Sequence, residues 1–192
     1  MSTVAEGARE TDSRSRSWWR TIWPAALSLL VAAGTAFGLE DGRDVAAVVA
    51  ASGFVYLAAA ALGRPGVAWP AFGLSFVLVT LAKLAGVDAM AWILVLAGVM
   101  LVVGIARRRW QPTWGLPLQA AAMLVLGAVA LLAVQVSPQL GGLLVSAALL
   151  AHAGWDLYHH RTGRVVTRSL AEFCCVLDVV AAVVVAIVAL NA

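Results

Sequence analysis

Seven long apolar segments restrict the fold of this chain more than any other feature of its sequence. Each is roughly 20 residues long, the length an α-helix needs to cross about 30 Å of hydrocarbon at about 1.5 Å per residue. The composition agrees, because 62% of the residues are hydrophobic and 12% are charged, whereas soluble domains are roughly half apolar and a quarter charged. We therefore predict an all-α, polytopic integral membrane bundle of about seven transmembrane helices.

The seven segments occupy nearly the whole chain after a short polar start. Residues 1–17 contain almost nothing apolar and are predicted to form a disordered cytoplasmic tail. Residues 18–192 are predicted to form a single seven-helix membrane domain, which leaves no room for a separate soluble domain. The predicted helices, with ends placed to within about 2 to 4 residues, are 18–39, 44–63, 67–85, 88–106, 116–136, 138–160 and 169–190.

The basic residues are distributed unevenly between the two sides of the predicted bundle. One side carries eleven arginines, and the other carries only Arg43 and Lys83. Because cytoplasmic loops are rich in Lys and Arg, we expect the N-terminus inside and the C-terminus outside, in a multi-pass protein of the cell membrane. The net charge of +3 therefore reflects topology, and the expected partners are membrane lipids rather than nucleic acid. The eleven arginines are Arg9, Arg14, Arg16, Arg20, Arg64, Arg107, Arg108, Arg109, Arg161, Arg164 and Arg168.

All three histidines of the chain lie close together on predicted helix 6. His152, Asp156 and His159 are spaced i, i+4 and i+7, which places them on one helical face, and His160 lies about 40° beyond the nearest of them. On helix 7, a stripe of reactive side chains runs along one face at i, i+3 and i+6. It consists of Glu172, Cys175 and Asp178.

A short turn joins these two helices, so we expect them to pack as antiparallel neighbours. Residues at equal depth then have numbers that sum to about 330. This register pairs His152 with Asp178 and His159 with Glu172, and it brings Asp156 to the level of Cys174 or Cys175. The adjacent cysteines match neither a disulfide framework nor a thioredoxin-like pair, so they are interpreted as reduced or as ligands.

The cost of burying charge indicates that this cluster has a role. An ionised Asp near the centre of a membrane helix costs about 2.5 to 3.5 kcal/mol, and ionisable groups at such depth are usually functional. The candidate metal ligands are His152, Asp156, His159 and His160, for zinc, iron or copper. The candidate catalytic residues are Asp156, His159, Glu172 and Asp178.

The sequence favours a membrane-embedded enzyme that acts on a lipid-soluble substrate at the cytoplasmic side, with the cluster as a metal or acid–base site. Two alternatives stay open. One is a proton- or ion-coupled transporter. The other is a non-catalytic membrane subunit or cofactor holder, with His152 and His159 as haem ligands. A purely structural reading, in which the cluster joins helix 6 to helix 7, also stays open.

Overall fold

The computed structural model describes residues 22–192, which contain helices and no β-strand. Two short 3₁₀ helices, Gly42–Val45 and Pro65–Val67, lead directly into the second and third helices. The prediction of an all-α bundle with seven helices is confirmed. In chain order these helices are α1 (Ile22–Ala36), α2 (Ala46–Leu62), α3 (Ala68–Ala85), α4 (Ala89–Ala106), α5 (Leu116–Ala133), α6 (Pro138–Thr162) and α7 (Arg168–Leu190).

Six of these helices, α2 to α7, are long and apolar enough to cross a membrane. Counted with their 3₁₀ extensions, they contain 18 to 25 residues, or about 27 to 37 Å of helix. The described part of α1, Ile22–Ala36, is shorter. The predicted tail 1–17 and the predicted start of helix 1 at residue 18 lie outside the described residues. The chain thus has the helices of a multi-pass membrane protein.

The helices run alternately up and down, so that the loops gather in two groups. Trp69 at the start of α3 donates a hydrogen bond from Nε1 to Oγ of Ser169 at the start of α7, at 3.2 Å. At the other end, Arg43 donates from Nη1 to the carbonyl of Val136 between α5 and α6, at 3.0 Å. We call loops 63–67, 107–115 and 163–167 the basic end of the bundle, and loops 37–45, 86–88 and 134–137 the opposite end.

Helix α2 lies at the centre of the bundle. Of its most apolar stretch, 78% is buried, against 17% for α3 and 22% for α4. A helix that is apolar on all sides is expected to be buried in this way, and the small side chains of α2 let its neighbours approach closely. At Gly53, for example, a Cβ atom would lie only 3.1 Å from the Cα of Met123 on α5. The outward faces of α3 and α4 remain apolar, as lipid contact requires.

Helices α6 and α7 form the most extensive helix pair. The turn between them begins at Gly163, which ends α6 in the left-handed conformation (φ +63°), and Thr167 caps α7 by accepting a hydrogen bond from the backbone N–H of Leu170. Ser146 donates to the carbonyl of Ala182 at 2.8 Å. That contact lies in the register expected from the sequence, so the predicted antiparallel packing of these helices is confirmed.

Candidate metal centre

Three ionisable side chains meet in the interior of the bundle, and we call them the triad: His152, Asp156 and Asp178. His152 and Asp156 stand one turn apart on α6, and Asp178 faces them from α7. Their exposed fractions are 4%, 0% and 1%. His152 and Asp178 each lie ten residues from the helix end at the α6–α7 turn, which is about 15 Å along the axis. The triad therefore lies midway through the span.

The triad is compact enough for a metal ion. The Nδ1 atom of His152 lies 2.7 Å from Oδ2 of Asp178 and 3.4 Å from Oδ2 of Asp156. One donor atom from each residue lies within 4.8 Å of the others. The predicted pairing of His152 with Asp178 is confirmed. Nitrogen and carboxylate donors in this arrangement could hold a metal ion.

A tyrosine from the central helix completes the surroundings of the triad. Tyr56 on α2 is buried, and its hydroxyl donates a hydrogen bond to Oδ1 of Asp156 at 2.7 Å. Its ring also packs edge-on against the imidazole of His152, with the ring centroids 5.3 Å apart. Tyr56 therefore fixes the orientation of the Asp156 carboxyl group. Sequence reasoning missed this residue, although a phenol within the otherwise apolar α2 is a signal that could have identified it.

Two buried atoms of the triad have no hydrogen-bond partner among the described residues, and these are His152 Nε2 and Asp156 Oδ2. An unsatisfied buried polar atom costs about 1 to 3 kcal/mol. With the Asp178 carboxylate as acceptor, His152 carries its hydrogen on Nδ1, which leaves the lone pair on Nε2. A histidine held by a carboxylate in this manner is a common arrangement at metal sites.

Comparison with known proteins supplies no template for the triad. No protein-family model matches the chain, and searches of curated proteins and of solved structures found no match.

His159 lies outside the triad, in a separate hydrogen-bonded network. Its Nδ1 lies 3.0 Å from the carbonyl of Trp155, and its Nε2 lies 3.4 Å from Nε2 of Gln119 on α5. Gln119 also accepts from Nε1 of Trp155 at 3.3 Å and donates to the carbonyl of Trp114 at 3.1 Å. Both ring nitrogens of His159 thus have partners, and the predicted pairing of His159 with Glu172 is wrong.

The two histidines face the same side of α6, but the ring of Tyr56 packs against both. Its centroid lies 4.9 Å from that of His159 and 5.3 Å from that of His152. Because both histidines belong to one helix and share this aromatic neighbour, the structure offers no support for a haem held between them.

The remaining predicted site residues are less deeply placed. Glu172 and His160 are half-buried, and neither side chain forms a hydrogen bond or ion pair with another residue of the range 22–192. Cys174 is buried and Cys175 is half-buried, and both are free thiols. The roles predicted for Glu172 and His160 remain predictions, while His152, Asp156 and Asp178 are the site residues that the fold brings together.

Proposed function

We propose that this protein is a membrane-embedded enzyme that binds a divalent transition metal at the triad and acts on a lipid-soluble substrate. One observation carries the proposal. Three buried donor groups from two helices converge within 4.8 Å of one another inside a bundle built from membrane-length helices. Ionisable groups at such depth are expensive to maintain, and in membrane proteins they mark functional sites.

Charge balance favours a cation at the triad. Two ionised carboxylates and a neutral imidazole carry two negative charges, which a divalent ion neutralises completely. Without an ion, the same groups must retain protons to avoid a large burial cost. The donor set suits zinc or iron and also admits copper. With Asp178 held to the Nδ1–H of His152, the two unpaired atoms, His152 Nε2 and Asp156 Oδ2, would be the direct ligands, and coordination positions would be left for water or substrate.

Elemental analysis of the purified protein tests the metal. We expect about one transition-metal ion per chain in the wild type, and its loss in His152→Gln and in Asp178→Asn. Two matched controls, His160→Gln and Glu172→Gln, remove a histidine and a carboxylate from the same two helices without touching the triad, and they should retain the ion. Metal-free wild-type protein that also fails to bind added zinc, iron or copper would refute the proposal.

The depth of the triad is the reason to expect a lipid-soluble substrate. A group about 15 Å from the helix ends is reached more readily from the hydrocarbon than from water. Mass spectrometry of total lipids, from cells producing either the wild type or Asp178→Asn, would test this. We expect at least one lipid species to change with the wild type alone. If the metal is present and both lipid profiles are the same, the protein holds a metal without acting on lipid.

A second candidate function, proton transfer through the membrane, is supported by four groups with exchangeable protons that lie close together in the middle of the bundle. Tyr56, Asp156, His152 and Asp178 follow one another at 2.7, 3.4 and 2.7 Å. Such a chain of exchangeable protons suits a relay. In liposomes loaded with a pH-sensitive dye, this function predicts proton flux by metal-free protein and its loss in Asp178→Asn. The enzyme proposal predicts no flux from either protein.

A further inference from the structure

A cavity at the basic end is separate from the triad. It has a volume of about 200 Å³ and lies between the end of α2, the α4–α5 loop and the α6–α7 turn. Its lining includes the apolar side chains of Ala60, Leu116 and Val165, together with the polar side chains of Arg109 and Gln111. A lining that is apolar on most sides and cationic at one point suits an amphiphile with an anionic group.

The Arg109 guanidinium lies close to the end of α2. A Cβ atom at Gly63 would lie 2.5 Å from Cζ of Arg109, so the guanidinium occupies space that the absence of a side chain at Gly63 leaves open. Gly63 also has a φ of +64°, a conformation that glycine adopts without strain. Within residues 22–192, the guanidinium donates one hydrogen bond, to the carbonyl of Leu62 at 3.5 Å. Of its five N–H donors, most are left for a ligand.

The charged residues in the loops around this cavity are all basic, and the nearest acids along α6 and α7 are Asp156 and Glu172. Among the described residues, the sequence stretches 63–67, 107–115 and 157–171 contain no Asp or Glu. Trp114, which also lines the cavity, has the guanidinium of Arg164 at 5.1 Å from its ring centroid. A second cation is therefore held at the rim by a cation–π contact. The same stretches contain Arg64, Arg107, Arg108, Arg109, Arg161, Arg164 and Arg168.

We propose that this cavity binds the phosphate group of an anionic phospholipid, with Arg109 as its principal ligand. Guanidinium groups bind phosphate through paired, charge-assisted hydrogen bonds. The basic end lies about 15 Å along α6 from the triad, at the depth where phospholipid headgroups are found in a bilayer. The apolar lining would then contact the first carbons of the lipid. This inference does not depend on a metal at the triad.

Native mass spectrometry of the detergent-purified full-length protein tests the proposal. Phosphatidylglycerol and phosphatidylcholine are titrated separately into the wild type, Arg109→Gln and the control Arg107→Gln, which removes an exposed arginine of the same loop that does not line the cavity. We expect the wild type to prefer phosphatidylglycerol. In Arg109→Gln its affinity should fall about tenfold, the equivalent of one charge-assisted hydrogen bond, and in Arg107→Gln it should change little.

Other results would overturn the assignment. An equal loss in both arginine variants would indicate general surface charge, and equal binding of the two lipids would indicate a purely apolar site. Thermal stabilisation by inorganic phosphate that requires Arg109, without a lipid adduct, would identify free phosphate as the ligand. If Arg109→Gln does not fold, Arg109→Lys supplies the test, because an ammonium lacks the paired donors of a guanidinium and binding should still weaken.

Discussion

Tyr56 connects the central helix to the triad, and its hydroxyl can be removed without changing its ring. In Tyr56→Phe, Oδ1 of Asp156 loses its 2.7 Å hydrogen bond, while the aromatic packing against His152 is kept. Because groups that orient metal ligands typically change metal affinity 10- to 100-fold, we expect at least about a tenfold loss. Titration of the metal-free protein with zinc measures it.

The other tyrosine of the chain provides the matched control. Tyr158 is exposed on α6, and its hydroxyl accepts a hydrogen bond from Arg164 at 3.1 Å. Tyr158→Phe makes the same chemical change away from the triad, so zinc affinity should be unaffected. Equal zinc affinity in the wild type and Tyr56→Phe would show that the hydroxyl does not orient Asp156 for binding.

His159 belongs to the hydrogen-bonded network between α5 and α6, which is distinct from the triad. In His159→Ala, its hydrogen bonds to the Trp155 carbonyl and to Gln119 are lost, so we expect a loss of stability of about 1 to 3 kcal/mol with the metal content unchanged. Thermal unfolding in detergent and elemental analysis measure the two effects. His160→Ala, at a half-buried site, is the control for stability. Loss of the metal in His159→Ala would restore His159 as the ligand predicted from the sequence.

At the scale of helices, most of the fold and part of the site could be predicted from the sequence. Apolar length predicts each span, and the short turn after α6 sets the depth of its partner α7. The pairing of His152 with Asp178 follows from those two facts alone. Nothing comparable in the sequence indicates which helix contacts α6 at His159, which lies on the same face as His152 but nearer the basic end. There the neighbours of His159 are Gln119 on α5 and Tyr56 on α2 rather than Glu172.

Tyr56 illustrates why the rest of the site could not be predicted. It lies 100 residues before Asp156 in the sequence, so no local spacing links the two. The apolar character of α2 on all its sides indicates burial but does not favour one neighbour over another. The contacts between α2, α5 and α6 depend instead on close packing at small residues, such as Gly53 against Met123.

The connection between α1 and α2 has its own ion pair, which predicts how stability depends on pH. Arg43 donates to the Asp41 carboxylate from Nη2 at 2.6 Å and from Nε at 2.9 Å, and this holds the pKa of Asp41 below its ordinary value of 3.8. The carboxylate form is therefore favoured in the folded state. The resulting stabilisation is present above that ordinary value and is lost as the pH falls through the lowered pKa.

Thermal unfolding in detergent between pH 6 and pH 3 measures this contribution. As the pH falls below about 4, the wild type should progressively lose the advantage that it has over Asp41→Asn at pH 6, an advantage that solvent screening keeps small for an exposed pair. Glu40→Gln removes the neighbouring acid, which has no hydrogen bond to Arg43 among the described residues, and should unfold like the wild type at pH 6. A constant difference between wild type and Asp41→Asn across the whole range would contradict the assignment.

At the scale of the whole molecule, the two ends of the bundle differ in charge. Among the described residues, the loops of the basic end and the helix turns next to them carry seven arginines, whereas the loops and adjoining turns of the opposite end carry four acids together with Arg43 and Lys83. The acids are Glu40, Asp41, Asp44 and Asp88. At this opposite end, the Lys83 ammonium also donates a hydrogen bond from Nζ to the carbonyl of Phe37, the residue after α1. The asymmetry predicts that the basic end faces the cytoplasm.

Single cysteines at exposed loop positions test this orientation in intact cells. Thr113→Cys introduces a thiol at the basic end and Gln135→Cys introduces one at the opposite end, where both native residues are exposed. A membrane-impermeant maleimide should label Gln135→Cys directly but Thr113→Cys only after permeabilisation, because the arginine-rich loops are retained inside. The unsubstituted protein, whose two thiols lie within α7, provides the blank. Labelling of Thr113→Cys in intact cells, with Gln135→Cys protected, would reverse the topology and place the arginine-lined cavity at the outer leaflet.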